Sequence, residues 1–244
     1  MPGAESDEAV EVALATGDVE VEGRLPWSSN QTFLVAVGPA GDGGTVRRAV
    51  YKPERGERPL WDFPPGLYRR EVAAYLLSRA LGWDLVPPTV VRHDLPFGTG
   101  SLQAFEPADY DRHAFTLIEE GGHDEALQTI CAFDVVVNNA DRKSGHVLAT
   151  DDGRLRAIDH GLCFHADHKL RTVLWEYCGE PVPDHLLADL DSLAGSLPAS
   201  APGLAHLLEE EEFAALVRRI ARLVASGTFP EPAGDHPPYP WPMV

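Results

Sequence analysis

Residues 138–161, NNADRKSGHVLATDDGRLRAIDHG, hold most of the groups in this chain that could do chemistry. Asp141, Arg142 and Lys143 sit between an apolar segment and a run that reads as a β-hairpin: HVLAT, the turn DDG, then RLRAID, which Asp159 closes. A hairpin returns the chain to its start, so an acid before it and an acid after it are brought together. Two carboxylates beside a lysine suit phosphoryl transfer. One orients or deprotonates the attacking hydroxyl, and the other binds a magnesium ion bridging the phosphates. A polar loop with a surface ion pair would use the same residue types, so the stretch alone does not decide.

Two further groups fit the same chemistry. Lys52 ends the run TVRRAVYKP and could project toward phosphates, provided an acid holds it. Glu71, in YRREVAAY, is that acid: its +3 and +4 neighbours are Ala74 and Tyr75, so its own helix offers no cation ahead of it. The turn Trp27-Ser28-Ser29-Asn30-Gln31 could present hydroxyls and backbone N–H groups to a phosphate, although Ser and Asn are ordinary turn formers.

The elements that must position these groups follow from periodicity. DVEVEGRL, TFLVAVG and TVRRAVYKP alternate with period two and are separated by breakers, which predicts a small antiparallel sheet over 19–52. LYRREVAAYLLSRALG carries a helical apolar stripe stopped by Gly82. VPPTVVRHD and GTGSLQAFE read as strands, PADYDRHAF as loop, and 125–138 as a buried helix. Residues 9–16 suit a helical turn or a strand equally. Beyond Leu174 helices dominate, and six prolines in the last 16 residues make the tail extended. The expected organisation is an acidic lead (1–16), a strand-rich lobe with one helix (17–106), a helical lobe with the hairpin (107–229) and a Pro-rich tail (230–244).

Composition narrows the function classes. With 20 Lys+Arg against 38 Asp+Glu, the 244-residue chain carries a formal charge of −18. Such a surface repels phosphate backbones, so nucleic acid is not an expected partner, and a membrane surface is disfavoured for the same reason. Three scattered cysteines, Cys131, Cys163 and Cys178, match neither a disulfide framework nor a zinc motif and suit a cytoplasmic setting. Bound ATP would need a local positive cluster, for which Lys52, Arg142 and Lys143 are the candidates.

The ordered set YKP, REVAAYLLSRALGWDLVPPTVV, GSLQAFEP, NNADRKSGHVL and IDHGLCFHADHKLRTVLWEY resembles the phosphatidylinositol 3-/4-kinase superfamily over about residues 23–180. It is closest in style to the type II phosphatidylinositol 4-kinases and small actinobacterial-type proteins, with HipA-like kinases sharing the general plan. The resemblance implies an α+β, bilobal, protein-kinase-like fold with a small antiparallel-sheet N-lobe and a mainly helical C-lobe. It implies ATP and Mg²⁺ or Mn²⁺ as cofactors. By position, Ser28, Ser29 and Asn30 match a Ser-rich phosphate loop, Lys52 the ATP-phosphate lysine and Glu71 its helix partner. Gln103, Ala104, Phe105 and Glu106 match the interlobe linker whose backbone hydrogen-bonds adenine. Asp141 matches the catalytic-loop acid, Lys143 a lysine facing the transferred phosphate, and Asp159 the metal-binding acid.

One departure stands out. His146 occupies the position at which the family pattern has a metal-binding Asn. Imidazole suits softer metals than magnesium. The change leaves open a manganese preference, a single bound metal, or loss of turnover, in which case the chain would be a nucleotide-binding pseudokinase. Few cations follow IDHG: Lys169 and Arg171, with His165 and His168. The expected acceptor is therefore a protein or soluble small-molecule hydroxyl before an inositol lipid.

Overall fold

The alternating runs form strands because each sends one set of side chains into a shared core. In the computed structural model, which describes residues 6–26, 28, 30–39, 45–197, 199–234 and 237–244, these are β1 (Val19–Arg24), β2 (Phe33–Val37) and β3 (Arg47–Pro53), with β4 (Thr89–Arg92) and β5 (Gly100–Ala104). They build an antiparallel sheet in the order β1-β2-β3-β5-β4. Val35, Val37, Ala49, Tyr51 and Leu102 form its core with Leu95 and Leu14. The chain divides into two compact units, one of Met1–Tyr75 with Pro87–Glu106 and the other of Leu76–Val86 with Pro107–Val244.

Leu14 lies on a helix, α1 (Asp7–Thr16), so the acidic lead expected over 1–16 is an integral element from Asp7 onward. Helix wins over strand here for local reasons. Ser6 caps the N-terminus, its hydroxyl accepting from the Ala9 N–H at 3.3 Å. The last turn has no basic residue of its own. Arg92 of β4 serves instead, Nη1 donating to the carbonyls of Leu14 (2.7 Å) and Gly17 (3.1 Å) while Asp94 holds the other arm of the fork. Gly17 must be glycine, because a Cβ would collide with the carbonyls of Gly38 and Ala13.

The same sheet carries Lys52, which pairs in register with Ser101. A Cβ on Gly100 would meet the Lys52 carbonyl and the Tyr51 ring, so the bare backbone of Gly100 lets β5 approach β3 at this point. The helix α2 (Leu67–Leu81) follows. The Glu57 carboxylate serves its start, accepting from Gly66 N–H and Tyr68 N–H, both at 2.9 Å. Glu71 sits just beyond, and the boundary between the two units falls inside this helix.

The second unit holds β6 (Ala108–Asp109), α3 (Ala114–Glu120), α4 (Asp124–Val137), β7 (Val147–Thr150), β8 (Leu155–Ala157), α5 (Asp184–Ser196), α6 (Leu204–Leu207) and α7 (Glu210–Ser226). β6, β7 and β8 make a small antiparallel sheet around the hairpin. The segment PADYDRHAF, expected as loop, contains β6 and the start of α3; both are too short for periodicity to register. Among its described residues the Pro-rich tail has no helix or strand, and it is tied down by its carbonyls. Pro238 O accepts from Thr172 N–H (3.1 Å) and Trp175 Nε1–H (2.8 Å), and Met243 O from Ser144 N–H (2.7 Å). Among the described residues no helix is long and apolar enough to cross a membrane.

If α1 is structural, Leu14→Ala, at a fully buried position, should cost about 3 kcal/mol. Urea denaturation should show the midpoint falling with the slope unchanged. A midpoint within error of wild type would mean α1 is not part of the folded core.

Candidate functional site

In the first unit, Lys52 Nζ is paired with the Glu71 carboxylate. Glu71 is nearly fully buried, whereas the Lys52 side chain keeps 23% exposure. A buried carboxylate is tolerated only with a partner, so strand and helix are cross-linked at this point. The sequence argument that Glu71 needs a tertiary cation is met by Lys52.

The other first-unit candidates are engaged in holding their own backbone. Ser28 Oγ and Thr32 Oγ1 share a hydrogen bond of 2.7 Å, and Asn30 Oδ1 accepts from Arg58 N–H at 3.0 Å. Ser29 lies outside the described residues. Gln103 and Ala104 belong to β5. Gln103 Nε2 donates to Thr89 Oγ1 at 2.9 Å, while the N–H groups of Ala104 and Phe105 donate to the carbonyls of Pro88 and Arg48. The N–H groups of Ala104 and Phe105 are thus committed within the first unit, which removes them as donors to a base. Glu106 ends this unit.

The second-unit residues are built on the C-terminus of α4. Asn138 ends the helix in the left-handed conformation at φ 56°. Its amide donates to the carbonyls of His165 and Asp167 and its Oδ1 accepts from Lys169 N–H. Asn139 Nδ2 donates to Asp134, and its Oδ1 accepts from Asp141 N–H at 2.9 Å. The acid thereby has a fixed backbone. Its carboxylate meets Lys143 Nζ at 2.9 Å. Burial pushes the Asp141 carboxyl above the ordinary aspartate value of 3.8; Lys143 opposes this, and the nearby charge of Asp159 reinforces it. The hairpin has brought the two carboxylates within electrostatic reach.

Asp159 is a non-glycine residue at φ 62°. Backbone strain of this kind concentrates at functional sites. Its side chain is 46% exposed, and Oδ2 lies 3.3 Å from His146 Nε2. His146 Nδ1 is 3.5 Å from the Lys143 N–H, and the other ring nitrogen, Nε2, is the one that faces Asp159. Ser144 is held at three points: its N–H by Met243 O, and its Oγ by Phe115 N–H (3.1 Å) and His113 Nδ1 (2.9 Å).

Arg142 corrects the sequence reading. It is not part of an available positive cluster: its side chain is fully buried on Asp134, Nε to Oδ2 at 2.9 Å. Burial works against its charge, but Asp134 more than offsets that and raises its pKa. Asp134, Asn139 and Ser144, which periodicity and motif spacing do not single out, complete the arrangement. Asp134 is the one charged residue between Leu127 and Asn138 of an apolar helix, and the doublet Asn138-Asn139 is the signal beside it.

Residues 69–218 match the sequence pattern of the phosphatidylinositol 3- and 4-kinase family, more than half of the chain. The chain belongs to this family. The matched span includes Glu71, Asp141 and Asp159. Protein Rv2133c of Mycobacterium tuberculosis is 39% identical over 264 residues, covering 94% of this chain and 93% of that protein. Phosphatidylinositol 4-kinase gamma 4 of rice is 31% identical over 150 residues, 51% of this chain but 25% of the plant protein. Among solved structures, hydra Fam20 with sugar superimposes with a TM-score of 0.61 at 16% identity, over 91% of this chain and 89% of that one. The Helicobacter pylori proinflammatory kinase CtkA gives 0.51 at 11% identity, over 88% and 94%. Both are likenesses of fold, and the fold is kinase-like.

The raised pKa of Asp141 has a consequence for stability. The fold holds its proton more tightly than the unfolded chain does, so ionised Asp141 destabilises the fold above its raised value, and the cost disappears below about pH 3.8. Asp141→Asn should therefore raise Tm at pH 7, with the gain shrinking as pH falls through the carboxylate range. Thermal unfolding followed by circular dichroism checks this; a variant less stable than wild type at pH 7 would contradict it.

Proposed function

We propose that the chain is an ATP-dependent phosphotransferase that moves the γ-phosphoryl group of ATP to a hydroxyl of a protein or soluble small molecule. The observation that carries this reading is the pairing of Asp141 with Lys143 on a loop whose hairpin returns Asp159 to it. A raised Asp141 pKa moves the group toward working pH, where it serves as a base or orienting acceptor. Asp141 takes the acceptor's proton, the acceptor oxygen bonds to phosphorus, and the bond to the β,γ-bridging oxygen breaks to release ADP. Lys143 neutralises charge on the phosphoryl oxygens as they pass. Lys52, oriented by Glu71, binds the α- and β-phosphates, and Ser28 and Asn30, with Ser29 by sequence, make up the phosphate loop.

The residues fit a divalent cation. Magnesium sites in phosphoryl transfer use one or two carboxylates and complete the shell with phosphate oxygens and water. Asp159 is a half-exposed carboxylate, and among the described residues no three His, Cys, Asp or Glu side chains form a self-contained metal site. When bound, Mg²⁺ or Mn²⁺ would supply charge neutralisation at the phosphates. Asp159 would hold it, with His146 beside it. To join as a ligand His146 would offer a ring nitrogen free of its proton, and Nε2 is the one beside Asp159. The −18 charge supports a soluble acceptor over an anionic lipid surface, and it favours a cytoplasmic setting without nucleic-acid partners.

Purified protein with γ-labelled ATP and Mg²⁺ or Mn²⁺ should transfer label to itself, to generic protein acceptors or to water. Asp159→Asn should lower that rate by about 10³-fold, and Lys52→Met should raise KM for ATP. Thermal stabilisation by ATP without transfer under either metal would instead establish a pseudokinase. An adduct of AMP mass would establish nucleotidyl transfer.

A further inference from the structure

The guanidinium of Arg142 reaches every segment that frames the two acids. Its Nε and Nη2 grip Asp134 on α4. Nη1 donates to the carbonyl of His146 (3.2 Å) and to that of Ile158 (2.8 Å), and Nη2 lies 2.8 Å from His160 Nε2. Ile158 and His160 are the residues on either side of Asp159. Ile158 N–H in turn donates to His146 O (3.0 Å), and the Arg142 backbone bridges to Thr172 through bonds with Arg171 and Val173. Asp141 is the residue immediately before Arg142. One side chain therefore measures the distance between the acid beside it in sequence and the acid 18 positions on.

We propose that Arg142 is a positioning residue that sets the separation of Asp141 and Asp159 and holds Asp159 in its left-handed conformation. This rests on the reading of those two residues as the site acids. A buried ion pair adds little net stability, and a well-packed apolar pair of similar volume does as well. What an apolar pair cannot do is donate to two carbonyls and face an imidazole at once from a planar fork; lysine cannot either. The strained φ of Asp159 needs surroundings that over-determine it. The Ile158 carbonyl before it and the His160 ring after it, both on Arg142, are those surroundings.

The test uses Asp134→Leu/Arg142→Met, which removes both charges together and leaves no buried unpaired charge, beside the single variant Arg142→Lys. A crystal structure of the double variant should show Asp159 out of the left-handed region and its carboxylate displaced from Asp141. Both variants should keep KM for ATP within about threefold while kcat falls about 100-fold, the scale expected for a misplacement near 1 Å. A double variant that folds and keeps the wild-type Asp159 backbone and kcat overturns the proposal. So does failure of both variants to fold, which would make Arg142 a stability element only. If wild type transfers no phosphate, the phosphotransferase reading fails, and the Asp159 backbone in the double-variant crystal still decides the role of Arg142.

Discussion

A guanidinium carried into a protein interior is unfavourable unless its charge and all its donors are met. At Arg142 they are met by Asp134, by two main-chain carbonyls and by an imidazole, and the second unit is organised around that requirement. Asp134 must project from α4 with no exposure. The loop after α4 must turn at once, which Asn138 allows by taking the left-handed conformation. The hairpin must close so that Ile158 presents its carbonyl inward. Asp141 and Asp159 are placed as by-products of satisfying one buried cation. The neighbouring asparagines serve the same purpose, Asn139 joining Asp134 to the Asp141 backbone and Asn138 anchoring 165–169.

Two acids of the candidate site work against stability. Asp141 is desolvated beside a second carboxylate, so its ionised form is disfavoured in the fold. Asp159 occupies a strained backbone conformation. Each is offset by a nearby contact, Lys143 for the first and Arg142 for the second. The chain-wide acidity sharpens this arrangement. On a surface of −18, a cation held beside its own acid is kept in place rather than shared among many carboxylates. Lys52 and Lys143 keep part of their side chains exposed beside their acids, and Arg142 keeps none.

Much of the architecture was legible in the residues, for reasons that differ by element. The strands of the first sheet alternate because one face is buried, and that pattern survives in the text as VEVEGR, FLVAV and RRAVYKP. Glu71 announced a distant partner through the absence of a helical one. The short β6 and α3 left no periodic signal. α1 was ambiguous because its identity rests on a cap at Ser6 and on a distant Arg92 that closes its end. The linker residues Gln103 to Phe105 match a family pattern by order, and the fold engages the N–H groups of Ala104 and Phe105 and the Gln103 amide within the first unit.

The sequence by itself determined the kinds of groups available and their order: an acid before a hairpin, an acid after it, a lysine on a strand and a glutamate on the following helix. Local chemistry suffices for that, since turns, caps and alternation are read within a few residues. Which charges are usable was decided only by tertiary structure. Asp141-Arg142-Lys143 is three adjacent charges in the text. In the fold the first is half-hidden, the second is sealed on Asp134, and the third reaches back to the first. The reason is physical. A charge becomes an anchor or a reagent according to the solvent and partners around it, and those come from segments far away in the chain.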